Sequence, residues 1–251
     1  MKIALIGYGR MGKRIAELAS ERVADFDVVA IIDPIAKEAT AKEITKENLH
    51  GAEVAIDFTT PEVILDNIKK IAKTKTNLVI GTTGWYDQLK KAKKIVDDNN
   101  IGMLYASNFS IGIQAFFRIV RAAAKIMNCL DDYDIFASEI HHRNKLDSPS
   151  GTALSLGEIL LKEIERKDTL VTNRLDRAPK PKELHLMSLR GGEVPGIHEA
   201  YFDSSADMIR LTHTARNRDG FALGALFAAK WIKNKKGLFN AEEWIEDLFG
   251  K

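Results

Sequence analysis

Residues 139–153 read EIHHRNKLDSPSGTA, which sets two adjacent histidines, an arginine and a lysine just ahead of a proline, a glycine and a helix start. A histidine that titrates near neutrality is a suitable proton donor at physiological pH. Backbone N–H groups of a helix opening near Gly151 and Thr152 can hold a carboxylate, and Lys145 adds positive charge to the same anion. Together these residue types fit a loop that holds an acidic substrate and protonates it. A solvated basic turn with core-packed histidines is the plainer alternative. No metal is expected, because neighbouring histidines on an extended chain point to opposite faces and no third ligand lies at a recognisable local spacing.

A second stretch, GYGRMG, comprises Gly7, Tyr8, Gly9, Arg10, Met11 and Gly12 and has the G-x-G-x-x-G spacing between an apolar run and a helix-like run. In such a turn the first glycine permits the tight bend, the second lets the backbone approach a pyrophosphate, and the third allows close helix–strand packing. The helix amino terminus then offers N–H donors and a positive dipole end to the anion. Asp33 ends the next apolar run and is placed to accept hydrogen bonds from an adenosine ribose. A carboxylate there repels a 2′-phosphate and inclines the chain toward NADH over NADPH, although Lys37 is near enough in sequence to compensate. GTTG (81–84) and SNFSIG (107–112) close two further apolar runs, where small residues leave room for a nicotinamide and its ribose.

These motifs need a scaffold, and the hydrophobic pattern supplies one. The runs at 3–7, 27–33, 54–58, 78–83 and 102–107 read as buried strands separated by amphipathic helices, which implies a parallel sheet with right-handed crossovers. The expected fold class is α/β, a doubly wound, Rossmann-like domain. Beyond it, helix-like runs at 111–128 and 152–166 bracket the histidine loop. LHLMSLRGG, GIHEAYFDSS and ADMIRLTHTA then read as strands of a smaller α+β domain with a mostly antiparallel sheet. The polar, proline-containing segment 166–184 is expected to be an exposed connection. Helices from Phe221 onward complete the chain. The domains are therefore placed at 1–108 with 217–251, and at 109–216.

Composition narrows the partners. The 251 residues include 37 Lys and Arg against 35 Asp and Glu, a balance that gives no electrostatic reason to expect nucleic acid or an anionic membrane. The single cysteine, Cys129, cannot form an internal disulfide and suits a reducing compartment, so the cytoplasm is expected. No targeting segment or membrane span is read in the chain.

The longer motifs carry a family resemblance. EIHHRNKLDSPSGTA, with GRMG, IDFTTPE, VIGTTGW, SNFSIGI, LRGGEVPGIHE and LTHTARNRDGFALGALFAAKWI, resembles the 4-hydroxy-tetrahydrodipicolinate (dihydrodipicolinate) reductases across nearly the whole chain. The glycine turn is one residue shorter than is usual there. The resemblance implies an NAD(P)H-dependent oxidoreductase of diaminopimelate and lysine biosynthesis, forming a homotetramer through the second-domain sheet. It implies His141 as the proton donor/acceptor and Lys145 as a second donor that contacts substrate, with His142, Gly151 and Thr152 at the substrate's carboxylates. For the cofactor it implies the glycine turn, Asp33, Gly81, Thr82, Thr83, Ala106, Ser107, Asn108, Phe109 and Phe221. His50, His185, His198 and His213 are expected at the surface or in sheet packing, and Arg190, Arg216 and Arg218 at most in support. Two rivals remain: another two-domain dehydrogenase of a small acidic substrate, and a non-catalytic NAD(H)-binding sensor.

Overall fold

The computed structural model describes residues 1–21 and 25–250. It divides into two compact units, Met1–Ser110 with Arg218–Lys251, and Ile111–Asn217. In the first, β1 (Lys2–Ile6), β2 (Asp27–Ile32), β3 (Val54–Asp57), β4 (Asn77–Ile80) and β5 (Gly102–Tyr105) form a parallel sheet, in agreement with the apolar runs. A further strand, β11 (Gly237–Asn240), was not visible in the pattern; it is four residues long and pairs parallel with β5, giving the order β11-β5-β4-β3-β1-β2. Helices α1 (Arg10–Glu21), α2 (Ile64–Lys73), α3 (Leu89–Asn99), α6 (Asp219–Ile232) and α7 (Ala241–Phe249) accompany this sheet. β3 and β4 are buried along their whole length, as a sheet covered on both faces requires.

Two side chains tie the carboxyl-terminal segment into this unit. Asn77 donates through Nδ2 to the carbonyls of Ile232 and Lys233, both at 2.8 Å, and accepts from the Gly102 N–H at 2.7 Å. The carbonyls of Ile232, the last residue of α6, and of the following Lys233 thereby gain a side-chain partner at the end of the helix. Arg14 on α1 forms a two-pronged bond with Asp219 at the start of α6, at 2.6 and 2.9 Å.

The second unit contains α4 (Ile111–Met127), β6 (Asp134–His141), α5 (Gly151–Glu163), β7 (Thr169–Val171), β8 (Glu183–Arg190), β9 (Ile197–Asp203) and β10 (Met208–Thr214). Its sheet has the order β10-β9-β6-β8-β7 and is mixed rather than mostly antiparallel. β9 runs antiparallel to β6 and β10, whereas β8 runs parallel to β6 and β7. The reason is β6, which closes on the histidine motif and is followed by α5, so that the chain returns to β8 by a crossover. β7 also lies inside the segment expected to be a plain connection.

β6 has the burial pattern eBiBiBiB, which puts Ile135, Ala137, Glu139 and His141 on one face. Ile135 and Ala137 join Ile113, Phe116, Val120, Leu156, Leu160, Leu186 and Phe202 in the core beneath α4 and α5. Glu139 and His141 continue the same face past the end of that core. Among the described residues no helix is long and apolar enough to cross a membrane.

Candidate active site

In the first unit the glycine turn follows β1 directly. Gly7 has φ +84°, and a side chain there would approach the Phe58 carbonyl at 2.9 Å. A Cβ on Gly12 would sit 2.2 Å from the Gly7 carbonyl oxygen, so α1 packs on the turn at a distance only glycine allows. Gly9 is different: nothing lies within 4 Å of where its Cβ would be. Its exposed backbone beside the open end of α1 is a surface that a pyrophosphate could approach closely.

Asp33 fixes this turn from the neighbouring strand. Its Oδ2 accepts from the Tyr8 N–H at 2.7 Å, and its Oδ1 from the N–H groups of Ile35 and Ala36, each at 2.8 Å. Burial pushes the carboxyl up, but these three backbone donors outweigh it and hold it below the usual range. The acid thus remains ionised and serves as a brace for the turn. Among the other expected cofactor residues, Thr83 and Ser107 are exposed, while Thr82, Ala106 and Asn108 are buried. Gly81 packs against the Phe58 ring. Phe109 is only 2% exposed and packs between Phe58 and Trp244, so its side chain belongs to the core. Phe221 is half-buried near the start of α6.

In the second unit the histidine loop is organised around Glu139, whose carboxylate is fully buried. Its Oε2 lies 2.6 Å from Nδ1 of His141, a short ion-pair contact that is not aligned as an ideal hydrogen bond. Its Oε1 accepts from the Ser150 N–H at 3.0 Å and from Nη2 of Arg190 at 2.8 Å. Burial raises this carboxyl, yet the bonds from His141, Ser150 and Arg190 together hold it well below the ordinary range. His198 lies across the strand pair, with Nε2 3.3 Å from the Ser150 hydroxyl oxygen and 3.9 Å from Glu139 Oε2. Burial, followed by the repulsion of His141, lowers His198 to about 3, so it is neutral at physiological pH.

The rest of the loop hangs on the same group. Arg190 also donates to the Asp147 carbonyl at 2.5 Å, and Lys145 pairs with the Asp147 carboxylate at 2.8 Å. Ser150 caps α5 by accepting from the Ala153 N–H at 3.2 Å. Helix α5 opens at Gly151, and nothing lies within 4 Å of a Cβ built there. His142 donates its backbone N–H to Val194 and keeps a buried Nδ1 without a partner.

The structure thus gathers His141, His142, Lys145, Gly151 and Thr152 along one strand end, loop and helix start. Arg216 and Arg218 are exposed and lie outside this network, while His50 is exposed in a turn. Sequence reading missed Glu139 and Ser150, left Arg190 in support, and placed His198 in sheet packing. It also missed the ligand-forming atoms of Glu139, His141 and His198, which all lie within 4.8 Å of one another. A dication there would face Arg190, which already holds the shared carboxylate. The signal for Glu139 was its position two residues before His141, which on a strand means the same face.

A glycine turn with its bracing acid on a doubly wound sheet, joined in one chain to a unit carrying a carboxylate-oriented histidine beside a cationic loop, defines a two-domain nicotinamide-dinucleotide oxidoreductase. Residues 1–109 match the family description "Dihydrodipicolinate reductase, N-terminus" and residues 112–245 match "Dihydrodipicolinate reductase, C-terminus". The chain is 41% identical over 251 residues to a 4-hydroxy-tetrahydrodipicolinate reductase of Christiangramia forsetii, with 99% of each chain covered. It is 36% identical over 261 residues to the enzyme of that name from Archaeoglobus fulgidus, covering 98% of this chain and 100% of the relative. The chain belongs to the dihydrodipicolinate reductase family.

Solved structures agree on the fold. A dipicolinate-bound dihydrodipicolinate reductase from Paenisporosarcina superposes with a TM-score of 0.77 at 23% identity, covering 97% of this chain and 98% of the other. An amine dehydrogenase from Mycobacterium smegmatis also shares the fold, with a TM-score of 0.60 at 10% identity, covering 95% and 94% of the two chains. The architecture is common to dehydrogenases of different substrates, so the substrate is decided by the site.

Proposed function

We propose that this chain catalyses the NAD(P)H-dependent reduction of 4-hydroxy-tetrahydrodipicolinate to tetrahydrodipicolinate, in diaminopimelate and lysine biosynthesis. The observation that carries the reading is the second-unit site, in which His141 stands beside Lys145 and the amino terminus of α5. Lys145 exchanges Asp147 for a substrate carboxylate, and the N–H groups from Gly151 and Thr152, with His142, hold the carboxylates in place. Nε2 of His141 faces the backbone of Gly196, where a Cβ would come within 3.0 Å of it, and this edge of the ring delivers a proton to the substrate's ring carbon. When bound, the reduced nicotinamide supplies a hydride to the substrate. The chain's own part is to bind, orient and protonate.

Gly7 to Gly12, Gly81 to Thr83, Ala106 to Phe109 and Phe221 form the cofactor's surroundings in this reading, with Asp33 at the adenosine ribose. The ionised state of Asp33 favours NADH over NADPH. The near-balanced charge and lone cysteine favour a small-molecule enzyme of the cytoplasm. The sheet face opposite the core suits a homotetramer contact: Met187 is 60% and Leu189 57% exposed, and Phe136 and Tyr201 stack there at 4.5 Å. Light scattering should then give four times the mass of the chain.

The decisive experiment follows nicotinamide oxidation by absorbance, with substrate generated in place by the synthase from pyruvate and aspartate semialdehyde. Turnover by the wild-type chain, faster with NADH than with NADPH, is expected. Cofactor binding without turnover of this substrate overturns the reading.

A further inference from the structure

Glu139 is a buried carboxylate of the second unit that contacts His141, the α5 cap residue Ser150 and Arg190, yet neither proton donation nor anion binding as derived above uses it. It contacts His141 at Nδ1, receives the N–H of the α5 cap residue, and holds the guanidinium that in turn grips the Asp147 carbonyl. An ion pair serving stability alone would be complete with Arg190. Here the second oxygen, Oε2, is turned to Nδ1 of His141 at 2.6 Å and accepts no hydrogen bond from any other group among the described residues. We propose that Glu139 is a positioning residue for the reduction, holding His141 as the tautomer with its proton on Nδ1, so that Nε2 is the nitrogen presented to substrate. The inference rests on the reductase reading given above.

The physical argument has three parts. An ionised carboxylate can only accept, so the ring nitrogen beside it must carry the proton, and the opposite nitrogen is left for exchange with substrate. The same carboxylate fixes the orientation of the ring, as the acid does in a Ser-His-Asp triad. His198 cannot take this part, because it is neutral and its Nε2 is directed to the Ser150 hydroxyl. Lys145 and Asp147 face each other in the loop, and among the described residues Glu139 is the carboxylate recorded at Nδ1 of His141.

The test has a spectroscopic arm and a kinetic one. Nitrogen-15 spectra of histidine-labelled wild type should show His141 protonated at Nδ1 in its neutral form; protonation at Nε2 alone overturns the proposal whether or not any variant folds. In Glu139→Gln, kcat should fall on the order of 10² to 10³-fold, with the KM for substrate altered less than about 10-fold and NADH affinity unchanged. In a His141→Ala background the same substitution should change kcat by less than about 3-fold, because the two residues act as one unit. A fully multiplicative loss in the double variant, or a near wild-type kcat in Glu139→Gln, overturns the role of Glu139 while wild-type turnover leaves the reductase reading intact. Absence of wild-type turnover defeats the reductase reading instead.

Discussion

The glycine turn and the histidine loop, both proposed to receive a negatively charged ligand, are built by opposite means. The turn is made of backbone: glycines at 7, 9 and 12 shape it, and a single acid from the adjacent strand braces it. Its ligand-facing surface is legible within six consecutive residues. The loop is made of side chains drawn from three strands, since β6 supplies Glu139 and His141, β8 supplies Arg190 and β9 supplies His198. A backbone site tolerates many side chains and few extra Cβ atoms, whereas a side-chain site fails with the loss of one partner. That difference gives the two regions different points of failure.

The sharpest probe is His141→Ala, which should lower kcat on the order of 10³-fold while leaving the NADH dissociation constant unchanged in a fluorescence titration. Equal loss of both would mean that the two regions are not separable. Next, Lys145→Ala should raise the KM for substrate on the order of 10-fold or more, with a smaller change in kcat, in steady-state kinetics. The turn offers an internal contrast. Gly12→Ala should destabilise the protein by about 1–3 kcal/mol in urea unfolding, because its Cβ meets backbone. Gly9→Ala should leave stability unchanged and weaken NADH binding, because only a ligand fills the space above it.

A smaller effect separates the regions by pH. In the fold His198 stays neutral down to about 3, whereas in the unfolded chain a histidine takes a proton near 6.5. Between those values the unfolded state binds more protons, so stability falls as pH falls, with a limiting slope of about 1.4 kcal/mol per pH unit. His213, also lowered by burial, adds in the same direction. Glu139 acts in the same direction but in a more acidic window: its depressed pKa contributes stability that is complete above the normal carboxylate range and is lost only in stronger acid. Unfolding midpoints measured from pH 7 to 5 should decline, and His198→Gln should flatten the decline. Smallest of all, a chelator should leave turnover unaltered, because Arg190 already occupies the carboxylate that a dication would need.

The same contrast explains what could be read from residues alone. The five parallel strands of the first sheet, the glycine turn and Asp33 were legible because each is a local pattern. His141 and Lys145 were legible because they fall within one motif. Glu139, Arg190 and His198 were not, because strand register brings them together: Glu139 stands opposite His198 in the antiparallel pair, and His141 opposite Arg190 in the parallel one. Reading β6 as a strand would have put Glu139 beside His141, but the partners from β8 and β9 would still have required the register. The mixed sheet was missed for the same reason, and β11 because four half-buried residues carry too little periodicity.

The pairing of β11 with β5, and the grip of Asn77 on the end of α6, have a consequence for synthesis on the ribosome. Most of the first unit precedes the second in sequence, yet the β5 edge of its sheet is paired by residues 237–240, which are made after the whole of the second unit. Residues 111–217 emerge in full before that edge can be covered. The unit that starts first therefore finishes last, and β5 remains an uncapped strand, open to pairing with a foreign chain, for as long as translation of the tail lags behind.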